Sequence, residues 1–81
     1  MRKFKRLSGQ DLVKIFIVFD FVLVSQKGSH MKLKRILSGG VKQVLIIPVH
    51  KEIDRGLLKA IFRQSSEFIS SQDLEKYFYS E

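Results

Sequence analysis

Eighty-one residues hold one domain and no second core, and the absence of cysteine excludes disulfide staples and thiolate zinc sites, as suits a reducing cytoplasm. Fifteen Lys and Arg against eight Asp and Glu give a formal net charge of +7. A small domain this basic is suited to polyanions, nucleic acid ahead of an anionic membrane, although a solvated surface without a partner has the same composition.

Ser8-Gly9-Gln10-Asp11 fits the capping box, in which a Ser and an acid three residues on satisfy each other's backbone N–H groups at a helix start. Leu12, Ile15, Phe16 and Phe19 follow at helical spacing and predict a first helix over residues 9–18. Phe21-Val22-Leu23-Val24 is aromatic and β-branched, and predicts a strand. Residues 12–24, LVKIFIVFDFVLV, form an apolar run behind a basic start, as in a signal peptide. The run is 13 residues long, against about 20 for a membrane helix. Lys14 and Asp20 interrupt it, and no small-residue cleavage site follows. A buried helix plus a buried strand fits it better.

Lys27-Gly28 supplies a turn. Gly28-Ser29-His30-Met31 has the look of a cleaved-tag remnant, but neither a His run nor a protease site precedes it. From Ser29 the residues alternate, with Met31 and Leu33 on one face and His30, Lys32 and Lys34 on the other. Ser38-Gly39-Gly40 is the next turn, and VKQVLIIPV over residues 41–49 predicts a third strand. Pro48 has no N–H to donate, so that strand lies at a sheet edge or ends there. Short loops between consecutive strands imply an antiparallel meander.

Asp54 can cap a second helix, with Leu57, Leu58, Ile61 and Phe62 as its buried stripe and Arg55, Lys59 and Arg63 as a basic one. Ser70-Ser71-Gln72-Asp73 offers another capping box, and Leu74, Tyr77 and Phe78 predict a short final helix. Residues 66–81 hold four acids (Glu67, Asp73, Glu75, Glu81) and one base (Lys76), a net of −3, which leaves residues 1–65 at +10. Helix, three strands, helix, helix make an α+β domain in which helices cover one antiparallel sheet.

The strand alternation sets His30, Lys32 and Lys34 side by side. Lys27 stands in the preceding turn, and Gly28 leaves room for a close approach by backbone or phosphate. One imidazole among fixed positive charges suits phosphodiester cleavage. Histidine can take a proton from an attacking hydroxyl or give one to a leaving oxygen, and lysines can hold the phosphate and stabilise charge building on it. The same pattern also describes an ordinary solvated strand face, and the Arg55/Lys59/Arg63 stripe an ordinary solvated helix face. His50, just past Pro48, defaults to a loop role. The two histidines lie 20 positions apart without an acid at helical ligand spacing, so no metal site is expected.

KGSHMKLKR, followed after a Gly-containing turn by VLIIPVHKEIDRGLLKAIFRQ, resembles the HicA family of toxin–antitoxin ribonucleases. The shared pattern is a Gly-Ser-His strand start, a Pro-x-His strand end, and a helix similar to GTLRSILRQA. LSGQDLVKIF resembles that family's first helix, so the likeness covers nearly the whole chain, expected as one HicA-like domain over residues 1–81. Asp20 stands where members often have Gly, before the strand-opening Phe. The resemblance implies a double-stranded-RNA-binding-domain-like fold: helix, three-stranded antiparallel sheet, helix, here with a short C-terminal helix. It also implies mRNA cleavage with the Gly-Ser-His histidine as catalyst, and neutralisation by a HicB-type antitoxin. His30 matches the catalytic position, and Gly28 and Ser29 complete the motif.

The leading expectation is therefore a cytoplasmic, metal-independent endoribonuclease toxin that acts on mRNA without a small-molecule cofactor or a membrane. His30 would be the catalyst, and Lys27, Gly28, Ser29, Lys32, Lys34, Arg55 and Lys59 would hold RNA. One histidine cannot be base and acid at once; a lysine, His50 or water would carry the other proton. The alternative is a non-catalytic RNA-binding module that reads A-form shape through basic contacts. A membrane-surface or protein-binding domain fits less well, because the cations lie on strands and a short helix rather than one long amphipathic helix.

Overall fold

The computed structural model describes residues 3–80. Helix α1 (Gly9–Val18) begins as its sequence dictates: Ser8 Oγ accepts the Asp11 N–H, and the Asp11 carboxylate accepts the Ser8 N–H, both at 3.0 Å. That backbone donation holds the Asp11 carboxyl below its ordinary pKa, against the opposing effect of burial.

The helix stops in a Schellman motif. The Phe21 N–H reaches back to the Phe16 carbonyl and the Asp20 N–H to that of Ile17, each at 3.0 Å. Phe16 and Phe21 pack edge to face with centroids 5.9 Å apart, the apolar contact that accompanies this motif. The residue between must be left-handed, and Asp20 takes φ 72°. Glycine adopts that conformation freely, whereas Asp tolerates it at a cost.

Strand β2 (Val22–Lys27) follows, then β3 (His30–Ile36) and β4 (Lys42–Pro48), in spatial order β2-β3-β4 and antiparallel throughout. β4 is an edge strand, and it ends at Pro48, as the missing N–H requires. The expectation of a buried strand after α1 is corrected. Phe21 is buried but precedes the strand, while Val22, Leu23 and Val24 are 57%, 46% and 45% exposed. β2 is the other edge, paired only with β3, and a bulge between Leu23 and Ser25 interrupts its register. Aromatic and β-branched composition signals a strand, and says nothing of whether a second layer covers it.

Beyond β4, helix α2 (Arg55–Ser65) is capped by Asp54, whose Oδ1 accepts the Leu57 N–H at 2.7 Å. Helix α3 (Ser71–Phe78) starts without the expected capping box. The Ser70 side chain makes no cap bond, and its carbonyl instead accepts the Asp73 and Leu74 N–H groups at 3.0 Å. One apolar cluster joins the layers: Leu12, Ile15 and Phe16 of α1, Met31, Leu33, Leu45 and Ile47 of the sheet, Leu58 and Ile61 of α2, and Leu74 and Phe78 of α3. Helix, three-stranded antiparallel sheet and helix, with a short third helix, form a double-stranded-RNA-binding-domain-like α+β fold.

Two short strands lie outside that plan. β1 (Lys3–Phe4) pairs antiparallel with β5 (Tyr79–Ser80) and brings the two ends of the described chain together. Phe4 stacks on Tyr79 at 4.5 Å and meets Phe62 edge-on, so the clasp is anchored in the aromatic part of the core. Two residues carry no periodicity, which hides such strands from sequence reading.

The α1 terminus yields a stability test. Asp20→Gly should raise the unfolding free energy by about 0.5–1 kcal/mol, the left-handed cost removed less the extra entropy of an unfolded glycine, as read by urea titration.

Candidate active site

β3 is the central strand, hydrogen-bonded on both sides, and directly paired residues share a face. Met31 and Leu33 are fully buried inward, while His30 and Lys32 are exposed on the outer face and Lys34 is half-buried there. Across β3, His30 pairs with Lys27 on one side and Pro48 on the other; Lys32 pairs with Ser25 and Ile46. Ser25, Lys27, His30, Met31, Lys32 and Ile46 line a shallow hollow of about 210 Å³. Of the His30, Lys32 and Lys34 set by the alternation, His30 and Lys32 share this concavity, together with Lys27 at the end of β2.

Lys34 lies two residues further along the same face, opposite Val22 and Val44, and does not line the hollow. Gly28 and Ser29 form the β2–β3 turn, with Gly28 at φ 55° and open space where a Cβ would stand. The Ser29 carbonyl accepts the Val49 N–H at 2.7 Å, which extends pairing past Pro48. Arg55 and Lys59 are exposed on α2, and neither lines this hollow. Among the described residues, no three His, Cys, Asp or Glu side chains group where a metal ion could be held, and no helix is long and apolar enough to cross a membrane.

Two residues that sequence reading passed over hold this strand in place. A Cβ on Gly9 would run into the Pro48 carbonyl oxygen, and the Gly9 N–H donates to the His50 carbonyl at 2.9 Å. The start of α1 is thus locked against the strand end that pairs with His30. The only signal was a poor helix former at the first helical position.

Arg35 is the second. It shares the inward face with Met31 and Leu33, and its guanidinium donates to Gln43 Oε1 (2.8 Å), the Phe19 carbonyl (3.0 Å) and the Phe68 carbonyl (2.8 Å). Its Cζ lies 4.8 Å from the Phe21 ring centroid. Composition counts Arg35 with the exposed cations; its donors are spent on the fold.

The family model for the HicA toxin of bacterial toxin–antitoxin matches residues 9–66. This chain belongs to the HicA toxin family. No curated protein and no solved structure gives a match. Membership makes the chain the toxin of a toxin–antitoxin pair, in a family of mRNA interferases. The matched span of this HicA toxin contains Gly9, Arg35 and every residue of the hollow; β1, α3 and β5 lie outside it.

The two kinds of cation on β3 should separate on substitution. Arg35→Lys cannot serve three divergent acceptors and should lower stability by about 2 kcal/mol. Lys32→Gln, at an exposed position, should stay within about 0.5 kcal/mol of the parent. Paired denaturant titrations read both.

Proposed function

We propose that this HicA toxin cleaves mRNA at the hollow on the outer sheet face, with His30 as the catalytic residue. One observation carries the reading: the imidazole, with no hydrogen-bond or ion-pair partner among the described residues, shares a concavity with Lys27 and Lys32. In the reaction the ribose 2′-oxygen attacks the adjacent phosphorus and loses its proton. The phosphorus–5′-oxygen bond breaks, and the departing oxygen takes a proton, leaving a 2′,3′-cyclic phosphate and a 5′-hydroxyl. His30 carries one of these protons. Lys27 and Lys32 hold the phosphate and stabilise the charge that builds on its oxygens, with Lys34 extending the basic face. Ribose specificity follows, because DNA lacks the nucleophile.

The competing reading, a binder that holds RNA intact, differs at one residue. His30→Ala should reduce cleavage by roughly 10²–10⁴-fold while binding persists, as followed on labelled RNA. Cleavage within a few-fold of the parent would remove His30 from the mechanism. Chelator should leave the rate unchanged, since no step is assigned to a metal.

The partner follows from the same face. A HicB-type antitoxin offering an acidic surface would compete with RNA phosphate for Lys27, Lys32 and Lys34 and cover His30. Lys32→Glu should then weaken antitoxin and RNA binding together, as measured by titration calorimetry and gel shift. In the complex, His30 should be shielded from an imidazole-modifying reagent. A complex in which His30 still reacts freely would place the antitoxin elsewhere.

A further inference from the structure

A second cavity lies away from the hollow. It measures about 300 Å³ and is lined by Lys3, Phe4, Lys5, Arg6, Glu52, Ile53, Arg55 and Leu58. Four cations surround a floor of Phe4, Ile53 and Leu58, with Glu52 as the one acid in the wall. All four are exposed, and none of their side chains has a hydrogen-bond or ion-pair partner among the described residues. Unpaired like charges converging on one concavity repel each other and raise its affinity for an anion. The cavity is also fixed in place. The Lys5 N–H donates to the Phe78 carbonyl at 2.8 Å, the Ile53 N–H to that of Leu7 at 2.8 Å, and the β1–β5 clasp seats Phe4 on the core.

We infer that this cavity is a phosphate subsite for the RNA backbone, remote from the bond being cut. The inference rests on the ribonuclease reading and extends it. Continuity between the two sites is what favours RNA. Pro48 pairs with His30 at the hollow, and the chain then passes through exposed His50 and Lys51 to Ile53 and Arg55 at the cavity. A strand leaving the hollow along residues 49–54 passes His50 and Lys51, then the acids Glu52 and Asp54, and meets a cluster of cations again at the cavity. Three of the four cavity cations precede residue 9, outside the matched family span, while Arg55, Glu52, Ile53 and Leu58 lie within it. The apolar floor gives a sugar or base edge a surface to rest on while the phosphate meets the charges.

The test is a salt titration of RNA binding, made in a His30→Ala background to keep the strand intact. Lys3→Gln, Lys5→Gln and Arg6→Gln together should lower the slope of log affinity against log salt by about two units, at about 0.7 per lost contact with single-stranded RNA. The gain in affinity on lengthening the strand from about 4 to about 16 nucleotides should shrink accordingly. Arg55→Gln, on a different element, should lower the slope by about 0.7 alone and guards against a folding effect in the triple variant. Unchanged slope and length dependence in both variants would overturn the inference, as would loss of antitoxin binding with RNA binding intact, which would make the cavity a protein-docking site. Failure of the ribonuclease reading shows separately, as RNA left uncut by the unsubstituted protein.

Discussion

β3 is paired on both edges, so its seven residues have no freedom to twist out of alternation. Met31 and Leu33 must enter the core if His30 and Lys32 are to leave it. Hydrophobic burial and site assembly are therefore one constraint. A register slip of one residue would drive two charges and an imidazole into the apolar cluster, at a cost far above the stability of a small domain. The same burial that stabilises the fold aims His30 and Lys32 outward.

The supports of β3 sit at its two ends. At the His30 end, Gly9 lets the first turn of α1 touch the Pro48 carbonyl, and Val49 continues the ladder to Ser29 where proline cannot. At the other end, Arg35 gathers β4, the end of α1 and the segment between α2 and α3 through four groups: Gln43, Phe19, Phe68 and the Phe21 ring. Neither residue touches the hollow. Both fix the strand that carries it, so each is expected to affect cleavage through position rather than by contact.

Much of this was legible in the sequence because it rests on local rules. The capping box at Ser8, the α1 span and the face assignment along β3 follow from side-chain spacing alone. What escaped was set by tertiary contact. Nothing local distinguishes Arg35, whose acceptors lie 8, 16 and 33 positions away, from Lys32 or Lys34. The exposure of Val22, Leu23 and Val24 depends on β2 being an edge. The expected capping box at Ser70 failed because backbone bonds alone close the first turn of α3. Arg55, expected to hold RNA together with the β3 lysines, lines a second cavity with residues about 50 positions earlier, a juxtaposition set by tertiary contacts such as the Ile53–Leu7 hydrogen bond and the β1–β5 clasp.

The central claim is that the outer face of β3 cuts RNA by using the substrate's own 2′-hydroxyl. It is tested most directly by comparing an all-ribose strand with the same strand carrying a single 2′-deoxy nucleotide immediately 5′ to the scissile bond. The account predicts 2′,3′-cyclic phosphate ends on the ribose strand and no cleavage at the deoxy position. Cleavage at that position at an undiminished rate would contradict it, because the nucleophile would then have to come from elsewhere.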